Sequence, residues 1–198
     1  MKIAVLGRGN VGTALGDGWS AKGHDVVYGS RSPEKEPGQA RKFASIADAI
    51  AQSEVVALAV PWDAVQSVLT SNDLSGKLLI DCTNPITPSF DLAVGTTTSA
   101  GETVARLAKG ARVVKAFNTT GFGNMRNPKF GAVNLTMFYA GDDEAAKAIV
   151  NQLINDMGFD PVDAGPLKTA RYMEPLAMLW INLSMKMGRD IALQLIRR

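Results

Sequence analysis

The stretch MKIAVLGRGNVG, Met1 to Gly12, decides how this chain is read. Lys2 to Leu6 is a short apolar run that leads directly into Gly7, Gly9 and Gly12, the G-x-G-x-x-G spacing of a dinucleotide-binding turn. The first glycine lets a strand turn sharply, the second lets backbone approach a pyrophosphate, and the third lets the following helix pack closely on the sheet. That helix presents unsatisfied N–H groups and the positive end of its dipole to the phosphates, with Arg8, Asn10 and Val11 filling the rest of the turn. In a chain with 19 glycines the spacing alone is weak evidence, so its position has to decide. An apolar run precedes it, and Val11, Ala14, Leu15 and Gly18 or Trp19 follow at helical spacing up to a stop at Gly23.

Asp25 to Arg31 reads as a second strand, and its end selects the adenosine ribose. An NAD site places a carboxylate there, about 20 residues beyond the glycines, to bond the ribose 2′-hydroxyl. This chain has Ser30, Arg31 and Ser32 instead, with Lys35 close by. Hydroxyls and a planar guanidinium fork match phosphate oxygens, so the expected cofactor is NADP(H). Glu34 and Glu36 soften the local charge but should lie further round the loop.

Strands and helices then alternate. Ser45 to Ser53 reads as a helix with Ser45 and Asp48 at capping-box spacing, Glu54 to Val60 as a buried strand ended by Pro61, and Trp62 to Thr70 as a short helix. Lys77 to Cys82 is the next strand, and Ile86 to Thr98 a connection without clear form. Ser99 and Glu102 open another capped helix through Ala108, followed by a strand from Arg112 to Phe117. Asn118 to Asn134, rich in Gly, Asn and Pro, reads as a long binding loop or lid. Leu135 to Ala140 is a strand, Asp143 to Met157 an amphipathic helix, and Asp160 to Asp163 an edge strand because of Pro161. A last helix from Thr169 to Met187 carries Tyr172, Leu176, Leu179, Trp180 and Leu183 on one apolar face.

The expectation is one α/β domain over residues 1–198, a Rossmann-type doubly wound and mostly parallel sheet with a small C-terminal α/β extension formed by residues 119–198. In such sheets ligands sit at the carboxyl ends of strands near the switch point, so Ala59 to Trp62 and Thr83 to Pro85 should border the nicotinamide. Asn118, after the fifth long strand, is a candidate ligand contact, whereas Lys115 reads as structural.

Composition narrows the chemistry. At 198 residues, 46% hydrophobic and 20% charged with net charge +2, the chain gives no reason to expect nucleic acid. One cysteine, Cys82, excludes an internal disulfide and a thiol–metal cluster and favours a reducing, cytoplasmic setting. Met1 to Leu6 is too short for a signal peptide's apolar core, and no run is long and apolar enough to span a membrane. No Tyr-x-x-x-Lys pair occurs, since Tyr28, Tyr139 and Tyr172 are followed four residues later by Ser32, Asp143 and Leu176. His24, the one histidine, reads as a surface group on the adenine side of the site. With no convincing acid or base, and no catalytic or metal-ligand residue assigned, the sequence favours an acceptor that needs a hydride and little positioned proton transfer, such as a flavin or deazaflavin ring.

These residues together resemble the NADPH-dependent reductases of the deazaflavin coenzyme F420 and the related cytosolic oxidoreductase domain of the six-transmembrane ferric reductases. The resemblance spans nearly the whole chain: GRGNVG at Gly7 to Gly12, GSRSP at Gly29 to Pro33, AVPW at Ala59 to Trp62, DCTNP at Asp81 to Pro85, VKAFNT at Val114 to Thr119 and ARYMEPLAMLWI at Ala170 to Ile181. It implies NADP(H) held by Arg8 to Val11, a 2′-phosphate held by Ser30, Arg31 and Lys35, and a nicotinamide near Val60, Pro61, Asn84 and Ala116. A second ring, F420 or FMN or FAD, would stack on the nicotinamide under the Asn118 loop and the final segment. Two other readings stay open. A reductase of small imines or hydroxyacids would carry a large all-helical C-terminal domain, for which a chain ending at Arg198 leaves little room. A non-catalytic NADP(H)-binding sensor would bind without turnover. The apolar last helix further suggests a homodimer.

Overall fold

Apolar side chains on both sides of a strand are what a sheet covered on both faces requires, and the first strand has them. In β1, Lys2–Leu6, Ile3 and Val5 face one layer while Ala4 and Leu6 face the other, all without solvent exposure. The computed structural model describes residues 1–35 and 41–198; Glu36 lies outside the described residues. Among the described residues an eight-stranded sheet is built from β1, β2 (Asp25–Ser30), β3 (Lys42–Ser45), β4 (Val55–Leu58), β5 (Leu78–Asp81), β6 (Arg112–Ala116), β9 (Thr136–Gly141) and β10 (Asp160–Asp163). The spatial order is β10-β9-β6-β5-β4-β1-β2-β3, and neighbours run parallel except where β9 meets β6. The run β3-β2-β1-β4-β5-β6 is the Rossmann-type doubly wound order, with its switch point between β1 and β4.

One layer is closed by α1 (Asn10–Ala21) and α6 (Glu144–Asp156), the other by α2 (Ile46–Ala51), α3 (Trp62–Thr70) and α4 (Ala100–Leu107). The caps foreseen at Ser45 and Ser99 form, each side chain accepting the N–H three residues on, and Asp143 does the same for α6. Trp19 of α1 is fully buried, donates to the Leu153 carbonyl at 3.2 Å and meets the Phe117 ring edge-on at 5.6 Å, joining α1, α6 and the end of β6.

Four features depart from the sequence reading. Strand β3 lies in a stretch with only one aromatic, Phe43, and its last residue Ser45 also caps α2; at the sheet edge, pairing with β2 and stacking of Phe43 on Tyr28 suffice to order it. The Asn118 to Asn134 stretch contains α5 (Phe122–Arg126) and a hairpin of β7 (Lys129–Phe130) and β8 (Val133–Asn134), because Met125 is buried in the main core. His24 is buried rather than superficial: it bonds Asp156 at 2.9 Å and the Met1 ammonium at 3.3 Å. It also sits at the amino ends of the strands, where Lys2 pairs with Asp25, opposite to the glycine turn.

The last helix, α7 (Ala170–Met187), buries Ala170, Met173, Glu174, Ala177 and Trp180, leaving Tyr172 75% and Leu179 54% exposed. The buried stripe contains two alanines and a charge, and of the apolar face Trp180 is buried, Leu176 and Leu183 are half-buried, and Tyr172 and Leu179 stay exposed. Arg171 ties α7 to α4 through two bonds to Glu102, at 2.8 and 2.7 Å. That guanidinium, joined by the Ser99 hydroxyl, holds the Glu102 carboxyl down to about 2 from an ordinary 4.5. A carboxyl depressed on folding stabilises the protein fully above its unfolded value and loses that contribution as pH falls through the folded one. Between about 4.5 and 2, the unfolding free energy of the parent is therefore expected to fall more steeply than that of Arg171→Ala, measured by urea unfolding across this window.

Candidate functional site

The glycine turn closes against β4. Gly7 takes φ +111°, and a Cβ there would lie 2.3 Å from the Ala59 carbonyl oxygen; at Gly12 it would lie 1.9 Å from the Gly7 carbonyl oxygen. Gly9 differs, since a Cβ added there meets nothing within 4 Å. It is also the N-cap of α1, whose first turn receives no side-chain cap, so helix N–H groups open onto that free space. Arg8 and Asn10 are exposed beside it, and Val11 is partly buried.

At the end of β2, Ser30 is buried and its hydroxyl accepts the Ser32 N–H at 3.1 Å, turning the chain outward. Arg31 is exposed beyond it, and a short 3-10 turn, Pro33–Lys35, leaves Lys35 and Glu34 exposed as well. After β4, Ala59 and Val60 are partly buried and Pro61 is exposed where α3 begins.

After β5 and β6, two loops are locked together by asparagines. Asn84 Nδ2 donates to the Asn118 carbonyl at 2.8 Å, and Asn118 Nδ2 donates to Asn84 Oδ1 at 3.2 Å. Between Ala116 and Asn118, Phe117 adopts φ +60°, a left-handed conformation costly for an aromatic residue, and its ring is held by Trp19. Asn118 is buried, and its Oδ1 has no hydrogen-bond partner among the described residues.

The structure thus brings Gly7 to Gly12, Ala59 to Pro61, Asn84, Ala116 and Asn118 to the carboxyl ends of neighbouring strands, with Ser30 to Ser32 on the flank. Beneath them lies a cluster that the sequence shows only in part. Lys115, fully buried, reaches Asp81 Oδ2 at 2.8 Å, the Thr83 carbonyl at 2.6 Å and Glu174 Oε1 at 3.2 Å. Asp81 ends the apolar strand LLID and Lys115 stands one residue before the end of RVVKA, and a charge at each of these positions is the signal that could have paired them. Cys82 is buried beside them, and burial pushes its thiol up, away from nucleophilic use. Tyr28 donates to Asp17, and the Tyr139 hydroxyl accepts from Asn151. Among the described residues no metal-holding group of three or more His, Cys, Asp or Glu occurs, and no helix is long and apolar enough to cross a membrane.

A family model described as NADP oxidoreductase, coenzyme F420-dependent, matches residues 2–85. An F420-dependent NADP reductase from Methanothermobacter marburgensis is 33% identical over 94% of this chain and 93% of its own length. The metalloreductase STEAP3 of Rattus norvegicus is 32% identical over 90% of this chain, which spans only 37% of that relative. A crystal structure from Arthrobacter sp. FB24 is 31% identical, covers both chains entirely and superposes with a TM-score of 0.87. A reductive aminase from Aspergillus terreus, solved with NADPH, shares the fold at 22% identity and a TM-score of 0.70 over 62% of its length.

Proposed function

The chain belongs to the family of coenzyme F420-dependent NADP oxidoreductases, and from that premise we propose that it passes a hydride between NADP(H) and a flavin-like ring, with a deazaflavin of the F420 type as the first candidate. The observation that carries the acceptor assignment is the end-to-end match to a reductase whose name specifies F420. The state of the strand ends agrees with it: Asp81 and Lys115 are buried in one ion pair, so no proton donor is offered there to a carbonyl substrate.

The residues present fit the cofactor. Open space at Gly9 and the uncapped start of α1 suit a diphosphate, as the helix amides and dipole favour an anion without a basic side chain. Ser30, Arg31, Ser32 and Lys35 would hold the 2′-phosphate. Ala59 to Pro61, Asn84, Ala116 and Asn118 would frame the nicotinamide, whose carboxamide N–H would give the buried Asn118 Oδ1 the donor it lacks. Bound NADPH supplies the hydride from nicotinamide C4. The protein's share is to fix the rings face to face and exclude water, with residues 119–198 supplying the acceptor side through the Asn118 loop and α7.

Mixing the protein with NADPH and, in turn, F420, FMN, FAD, a ferric chelate and a cyclic imine tests the assignment. NADPH oxidation with a deazaflavin or flavin is the expected result. Turnover of the imine alone, or tight NADPH binding with no turnover of any acceptor, would overturn it. We further propose that two copies associate through the exposed apolar side of α7, which carries Tyr172, Leu179 and Met187. Light scattering should give twice the chain mass, reverting to one chain mass in Tyr172→Glu/Leu179→Glu.

A further inference from the structure

The buried ions below the strand ends are closed to solvent, and their anchor points stand close in sequence to the asparagine lock or to a group that bonds it. Thr83, whose carbonyl receives Lys115, precedes Asn84. Lys115 itself stands three positions before Asn118 on the same strand end. Glu174, which meets Lys115 at 3.2 Å, follows Met173, whose carbonyl receives Asn118 Nδ2 at 3.5 Å. Asp81 completes the arrangement: its Oδ1 accepts the Thr83 N–H at 2.9 Å and the Thr83 hydroxyl at 2.7 Å, and its Oδ2 accepts Lys115. Glu174 is fixed from its other side by the first amides of α4, accepting Ala100 N–H at 2.9 Å and Gly101 N–H at 3.0 Å.

We propose that Lys115 is a positioning residue, whose ammonium, held by Asp81, Glu174 and the Thr83 carbonyl, sets the Asn84–Asn118 pair and through it the angle of the nicotinamide ring. The inference rests on the reading that these asparagines frame the nicotinamide. A buried ion cluster is a poor way to gain stability, because desolvating three charges offsets most of their attraction, whereas it is an effective way to fix relative positions. Burial works against the Lys115 charge, and the two carboxylates outweigh it and hold the ammonium above its ordinary value. Three segments, the ends of β5 and β6 and the first turns of α7, are thereby locked at one point.

Two readouts separate positioning from folding. Glu174→Gln keeps the shape and one of the two acceptor oxygens that the α4 amides use, while removing one charge facing Lys115; Lys115→Met removes the cation. The expected result for Glu174→Gln is an NADPH dissociation constant within about threefold of the parent, a shorter fluorescence lifetime of bound NADPH, and single-turnover hydride transfer slowed at least about tenfold. Lys115→Met should shift the lifetime further, and where it fails to fold Glu174→Gln decides. Unchanged lifetime and rate in Glu174→Gln, affinity and rate lost in parallel, or failure of Glu174→Gln itself to fold would each overturn the inference. Asn84→Ala keeps the two claims apart. If it alters the lifetime while Glu174→Gln does not, only the role of Lys115 fails; if it alters nothing, the placement of the nicotinamide fails.

Discussion

Gly12→Ala is expected to abolish NADPH binding and to destabilise the fold by about 3 kcal/mol or more, whereas Gly9→Ala, three residues earlier, should leave stability unchanged and weaken cofactor binding alone. At Gly12 the added carbon would sit 1.9 Å from the Gly7 carbonyl oxygen and 3.3 Å from Val5 Cγ1. Backbone cannot yield there, because Gly7 is itself wedged against Ala59 of the neighbouring loop. Helix α1 would have to lift from β1, and a loss of this size lowers the melting temperature of a chain this long by roughly 6–12 °C. Gly9 has φ −71° and open surroundings, so alanine fits without strain. The new methyl would occupy the space assigned to the diphosphate and cost it helix amide bonds, weakening NADPH by about tenfold or more. Thermal melts and NADPH titrations of both variants check the pair. Equal melting temperatures for Gly12→Ala and the parent, or unchanged NADPH affinity in Gly9→Ala, would contradict the site.

Arg31→Ala is expected to reduce the preference for NADPH over NADH by about tenfold to a hundredfold, with NADH affinity nearly unchanged. A bond from a guanidinium to a phosphate contributes about 1.5–3 kcal/mol, and only the phosphorylated cofactor offers that partner. Arg31 is exposed at the end of β2, immediately after the buried Ser30 turn, so its truncation leaves the core untouched. Because the group is charged, the NADPH advantage of the parent should also shrink with rising salt. Dissociation constants for both cofactors in parent and variant decide the matter, and an equal loss for NADPH and NADH would remove the 2′-phosphate from this loop.

Much of the fold was legible because its signals are local. The apolar run before Gly7, the caps at Ser45 and Ser99 and the stop at Gly23 each depend on residues within a few positions of one another, and all appear where expected. The edge strand β3 and the helix α5 were not legible, since neither carries a periodic pattern and each is ordered by distant partners, Phe43 on Tyr28 and Met125 in the main core. For His24, chain position suggested the surface near the adenosine, and packing against Asp156, far along the sequence, placed it inside at the opposite end of the strands.

The sequence by itself determined the doubly wound sheet, the glycine turn between β1 and α1, and the absence of a carboxylate at the end of β2, where Ser30, Arg31 and Ser32 stand. Those features are set by backbone sterics and by residue chemistry at fixed short spacing. The tertiary structure alone decided which side of α7 is buried, how Asn84 and Asn118 lock two loops, and that Lys115, Asp81 and Glu174 meet in one buried cluster. The reason is physical: Asp81 and Lys115 stand 34 positions apart, and a charge at a strand end is neutralised only by what folding brings beside it.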